Sequence, residues 1–177
     1  VIEKMNYYGM MVDISHPSKE AIRQTIQHTK APVIASHSSA RNLSNHPRNL
    51  DDEQLKWIKE NGGVVQVVAL DEFLNKTKHD AHLENPKLNS PVDLSDFVDH
   101  IDYIKNLIGI DHVGISSDFD GGGGIEGWQD ASQTFNVTLE LLKRGYSENE
   151  ISKIWSGNLL RVLDETEKIA KTLQKNN

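Results

Sequence analysis

Residues 12–18 read Val-Asp-Ile-Ser-His-Pro-Ser, and residues 33–39 read Val-Ile-Ala-Ser-His-Ser-Ser. Each is a short, β-branched apolar run that ends in serine and then histidine. Runs of this length between turn-forming residues predict buried strands. A histidine just past the end of such a strand is poorly placed to pack. It is well placed to hold a metal ion, and His16 and His37 occupy equivalent positions.

The sequence on either side of this pair repeats one alternation. Ile2–Tyr8 reads as the end of a helix stopped by Gly9. Strands are predicted at Met10–Ser15, Pro32–Ser36, Val64–Leu70 and His112–Ser116. Helices are predicted at Ser18–Lys30, at Asp51–Asn61 with an aspartate N-cap and Gly62 behind it, and at Ser95–Ile108. Asp71–Val92, polar and holding two prolines, reads as a long functional or mobile loop. Three helices are expected at the end: Ser132–Arg144, Ser147–Trp155 and Asn158–Gln174. Four strand–helix units with near-continuous apolar strands imply a parallel α/β sheet covered by helices. An open doubly wound sheet and half of a (β/α)8 TIM-type barrel both fit. Four glycines, 121–124, follow the last strand, but they lack the spacing of a nucleotide-binding loop.

Composition narrows the function. The 177 residues suffice for one domain with a core of its own. A formal net charge of −7 argues against nucleic acid and anionic membranes as partners. No apolar run reaches the length of a membrane span, and no signal-peptide pattern opens the chain. The absence of cysteine excludes disulfides and thiolate ligands and fits a reducing, cytoplasmic setting. A metal would therefore be held by His, Asp or Glu, which makes Zn²⁺ or a similar divalent ion the candidate.

In parallel α/β folds, active sites form at the C-terminal ends of strands. The predicted strands end at His16, His37, Leu70–Glu72 and Asp118. Neighbouring strands lie about 5 Å apart, close enough for two imidazoles to share an ion. Arg48 and Arg41 follow the second histidine, and an arginine beside a metal suits a carboxylate, although a loop-stabilising role fits equally well. Asp13 is expected to point away from the histidines by strand alternation. His28 suits a helix C-terminus, His46 is a contact candidate, and His79 and His82 read as solvated. His100 and Asp102 spell H-x-D inside a helix, where i and i+2 point apart, so they read as surface residues and not as ligands. Asp120 reads as a turn-former. Trp57, Trp128 and Trp155 read as packing residues, with Trp128 alone near the site.

The stretches MVDISHPS (11–18), PVIASHSSARNLSNHPRNLDDEQL (32–55), VGISSDFDGG (113–122) and GNLLRVL (157–163) together resemble the C-terminal half of the membrane (renal) dipeptidase family. That family belongs to the metal-dependent amidohydrolase superfamily. The resemblance implies a (β/α)8 barrel whose two zinc ions serve the hydrolysis of dipeptides. It implies that His16 and His37 bind one zinc and that Arg48 binds the substrate's C-terminal carboxylate. It further implies that Asp118 faces the reacting water and the substrate's amino group and transfers the proton. The family's H-x-D pair, bridging glutamate and further histidine are expected upstream of Val1. The isolated chain is then expected to be inactive.

Two other readings compete. In the first, the chain acts as a scaffold or fragment, since a half-barrel exposes sheet edges that favour homo-oligomers or a partner half. In the second, it is another amidohydrolase, such as a deacetylase or nuclease. The acidic charge disfavours the nuclease, and Arg48 favours a substrate that bears a carboxylate.

Overall fold

A computed structural model describes residues 1–176. Its four strands are β1 (Val12–Asp13), β2 (Val33–Ala35), β3 (Val64–Val68) and β4 (Val113–Ser116), all parallel and hydrogen-bonded in the order 1-2-3-4. Each strand therefore pairs with its successor. A doubly wound sheet must reverse direction at a switch point, and this one does not. Sequential order with a helix on each crossover is the arrangement of consecutive staves of a barrel.

The helices are α1 (Ile2–Tyr8), α2 (Lys19–His28), α3 (Asp52–Asn61), α4 (Asp71–Glu84), α5 (Leu94–Ile108), α6 (Thr134–Lys143), α7 (Glu148–Ser152) and α8 (Asn158–Lys175). Caps fix several ends. Ser18 accepts from Ala21 N–H at the start of α2, and Asp51 forms a capping box with Gln54 at the start of α3. Gly62 ends α3 in the left-handed conformation. A π-helical turn, Lys153–Gly157, joins α7 to α8 without a break.

The core lies between the sheet and the helices of the crossovers. On α5, Phe97, Val98, Ile101 and Ile104 are fully buried and Ile108 nearly so, a stripe with helical spacing. Burial of each such side chain stabilises the fold by about 1.5–3 kcal/mol. Helix α8 closes the N-terminal end of the sheet. Its Val162 and Leu159 pack on Ile34 and Val64, and Arg161 donates to the carbonyls of Gly62 and Asp111. The opposite end, where the strands finish, is left to polar loops. Among the described residues, no helix is long and apolar enough to cross a membrane.

One segment departs from the sequence reading. Residues 71–92 were expected to be a loop, but 71–84 form α4. The helix is weakly amphipathic and interrupted at Asn75, which has a non-helical φ of −152°. Its two short pieces do not produce one continuous apolar stripe, so no helical period is visible in the sequence.

Candidate metal and substrate site

The C-terminal ends of β1 and β2 bring His16 and His37 together. Their Nε2 atoms are 2.9 Å apart. Hydrogen bonds determine the state of His37. Asp13 Oδ2 accepts from the Ser36 hydroxyl at 2.5 Å, and Ser36 Oγ lies 2.7 Å from His37 Nδ1. The Ser36 hydroxyl has one proton and gives it to the carboxylate. His37 Nδ1 must then be the donor, which leaves the lone pair on Nε2. Burial alone would raise the Asp13 pKa, but hydrogen bonds from Ser36 and Ser15 outweigh it and hold this carboxyl below the usual range. The Ser15 hydroxyl accepts from the His37 backbone N–H at 2.9 Å.

Asp13 therefore does not point away from the site, as strand alternation predicted. Its strand ends within a residue, so its carboxylate reaches across to β2 and supports His37 through Ser36.

Two imidazole nitrogens on one tetrahedral Zn²⁺ would stand about 3.3 Å apart, so the observed pair needs only a small rotation to receive an ion. A neutral imidazole tied at Nδ1 to a polar partner is the usual state of a zinc-binding histidine. The donor set thus fits one side of such an ion. Among the described residues, no group of three His, Asp or Glu side chains is placed to complete it.

Arg48 lies beside this pair. Its Nε donates to the Ser15 carbonyl at 3.0 Å, and one terminal nitrogen lies 3.3 Å from His37 Nε2. Arg41 takes the structural role, donating to the Pro47 carbonyl at 2.7 Å. Asp118 stands at the same rim, beyond the end of β4. Two strand steps separate β4 from β2, about 10 Å at the usual spacing, so Asp118 lies across the rim from the histidines. It is the one described non-glycine residue with positive φ, at 51°. Its carbonyl accepts from Gly121 and Gly123 N–H, and its carboxylate lies so close over Gly121 that a Cβ there would meet Oδ1 at 2.5 Å. Trp128 and Phe119 pack edge-on below this turn.

The sequence model of Membrane dipeptidase (Peptidase family M19) matches residues 1–177. The chain belongs to this family. It is 41% identical over 174 residues to Dipeptidase aclJ of Aspergillus oryzae, covering 98% of this chain and 39% of that protein. It is 37% identical to Dipeptidase 3 of Rattus norvegicus, covering 96% of this chain and 32% of that protein. The crystal structure of the probable dipeptidase PvdM from Pseudomonas aeruginosa superposes with a TM-score of 0.87 at 36% identity, over 96% of this chain and 53% of that one. A metallopeptidase from Rhodobacter sphaeroides, liganded with a phosphinate mimic of the dipeptide L-Ala-D-Ala, superposes at 0.82 with 27% identity, over 93% and 45% of the two chains. The chain thus spans between 32% and 53% of these four proteins.

Within this M19 chain, several histidines differ from their sequence reading. His100 is 1% exposed, not a surface residue. Its Nδ1 accepts from the Ala40 N–H at 3.0 Å and its Nε2 donates to the Leu74 carbonyl at 2.8 Å. Asp102 accepts from Tyr146 and Arg144. His79 sits between Asp71 and Glu72 at 3.5 and 3.6 Å, and His82 contacts the Asn89 carbonyl, so neither is simply solvated. His46 stacks on Phe73 with ring centres 4.2 Å apart. These partners lie 7 to 60 residues away in the chain. No local pattern around the histidines signals them.

Burial pushes the His100 pKa below its ordinary 6.5. The unfolded chain then binds the proton more readily than the folded one. The His100 contribution to stability is complete above about pH 6.5 and is lost as pH falls from there through the folded pKa. Thermal melts should therefore decline below pH 6.5, and His100→Gln, which keeps one donor and one acceptor but does not titrate, should flatten that decline. Parallel melting profiles for the two proteins would contradict this.

Proposed function

We propose that this chain supplies one pair of metal ligands and the carboxylate-recognition residue of a zinc-dependent dipeptidase. The observation that carries the proposal is the facing pair His16 and His37, with the lone pair of His37 fixed on Nε2 and Arg48 alongside. Family membership supports the reaction class. When bound, the divalent ion supplies a Lewis acid that polarises a carbonyl and makes water more acidic.

The residues of the chain do the rest. Asp13 and Ser36 keep His37 in the tautomer that presents Nε2. Arg48, already anchored on the Ser15 carbonyl, offers its free donors to the C-terminal carboxylate of a short peptide. That contact measures the distance from the chain end to the scissile bond and limits the substrate to dipeptides. Asp118, held in a strained turn across the rim, takes the proton from the attacking water and returns it to the leaving amine. On this reading the further donors that such a centre needs, and the second of two ions, belong to the part of a dipeptidase that this chain, spanning 32% to 53% of the relatives compared, does not match.

The test uses the full-length protein with alanyl-alanine as substrate. Removing metal with a chelator should lower turnover by more than about a hundredfold, and zinc should restore it. The 177-residue chain alone should be inactive. Chelator-resistant turnover would remove the metal from the reading. A zinc-loaded protein that cleaves no dipeptide in a broad panel would leave the scaffold reading in its place.

A further inference from the structure

Helix α4 breaks one turn after it begins. Asn75 leaves the helical region, and its side chain starts the second piece: Oδ1 accepts from the Lys78 N–H at 3.0 Å and Nδ2 donates to Asp96 at 3.0 Å. The break frees carbonyls at the end of the first turn, and buried carbonyls need partners. Three consecutive ones find them outside α4. Ser44 Oγ donates to Glu72 at 2.8 Å, Asn49 Nδ2 to Phe73 at 2.7 Å and His100 Nε2 to Leu74 at 2.8 Å.

All three bonds lead to the loop that carries Arg48. Ser44 and Asn49 belong to it, and His100 also accepts from Ala40 N–H at its start. Asn49, 1% exposed and adjacent to Arg48, accepts in turn from Ser39 N–H. The Phe73 ring between these anchors carries His46 on its face and the Arg48 guanidinium 5.7 Å from its centre.

We propose that the first turn of α4, detached at Asn75, is the platform that positions Arg48, with Asn75, Phe73, Asn49 and His100 as positioning residues for carboxylate recognition. An unbroken helix would draw the Leu74 carbonyl to Lys78 N–H and away from His100. The loop would then lose an anchor and Arg48 its alignment. The break in α4 is thus a specificity device that acts through Arg48. This inference rests on the reading of Arg48 given above.

The test compares alanyl-alanine with its C-terminal amide in the zinc-loaded full-length protein. Asn75→Ala should raise KM for the free dipeptide about tenfold, the loss of one charge-assisted hydrogen bond, with kcat nearly unchanged. The amide, which has no carboxylate to align, should show the same kcat/KM in both proteins, and zinc content should not change. His100→Leu should behave like Asn75→Ala, while His100→Gln, with one acceptor and one donor, should keep the wild-type preference. Equal losses on both substrates, or an unchanged KM, would overturn the platform. Should Asn75→Ala fail to fold, the Leu and Gln variants of His100 decide the matter by the same readout. Arg48→Ala, run alongside, separates the two claims. If it does not distinguish acid from amide, the reading of Arg48 itself fails. If it does and the α4 variants do not, only the platform fails.

Discussion

In the full-length protein, His37→Ala is expected to lose zinc and dipeptide turnover together, turnover by more than about a thousandfold. The substitution removes the Nε2 lone pair that Asp13 and Ser36 hold in place. Nothing nearby can substitute for it. Arg48, at 3.3 Å, is a cation with no lone pair to give, and His16 would be left as a single imidazole. Ser36→Ala should give a graded version of the same defect. It leaves the imidazole but cuts its link to Asp13, and such supporting contacts are worth about 10–100-fold in metal affinity. Metal content by elemental analysis and turnover of alanyl-alanine check both variants. His37→Ala protein with a full complement of zinc and normal turnover would sink the assignment of His37.

Arg48→Ala is expected to raise KM for dipeptides about 10–100-fold and to leave kcat within about twofold, because the lost contact is made equally in ground state and transition state. Arg48→Lys should not restore the wild-type value. An ammonium group cannot keep the Ser15 carbonyl and also present two parallel donors to a carboxylate. Unchanged kinetics on free dipeptides would remove Arg48 from recognition. A fall in kcat equal to the fall in kcat/KM, with KM unchanged, would instead place its main effect in the transition state.

The strand–helix alternation, the aspartate cap before α3 and the apolar residues of α5 were legible because each depends on near neighbours in the chain. The strand-end histidines were legible for the same reason, since a parallel sheet puts the residues after its strands at one rim. The resemblance of the motifs to the dipeptidase family pointed to the group that the family match then established. Residues 71–84 were misread because a helix broken at Asn75 has no sustained period. His100 was misread because its partners, Ala40 and Leu74, are 60 and 26 residues away.

The sequence by itself determined the α/β class, the family and the placing of His16 and His37 beyond two successive strands. Periodicity alone left a doubly wound sheet and barrel staves open, because strand order is a property of pairing and not of any segment; the family resemblance implied the barrel, and the sequential pairing of the four strands agrees with it. The tertiary structure brought what neither could give. It decided which nitrogen of His37 is free, that Asp13 supports it, and that α4 breaks to hold the Arg48 loop. Each of these depends on a hydrogen bond between groups that meet only when distant elements pack, and hydrophobic periodicity carries no record of such partners.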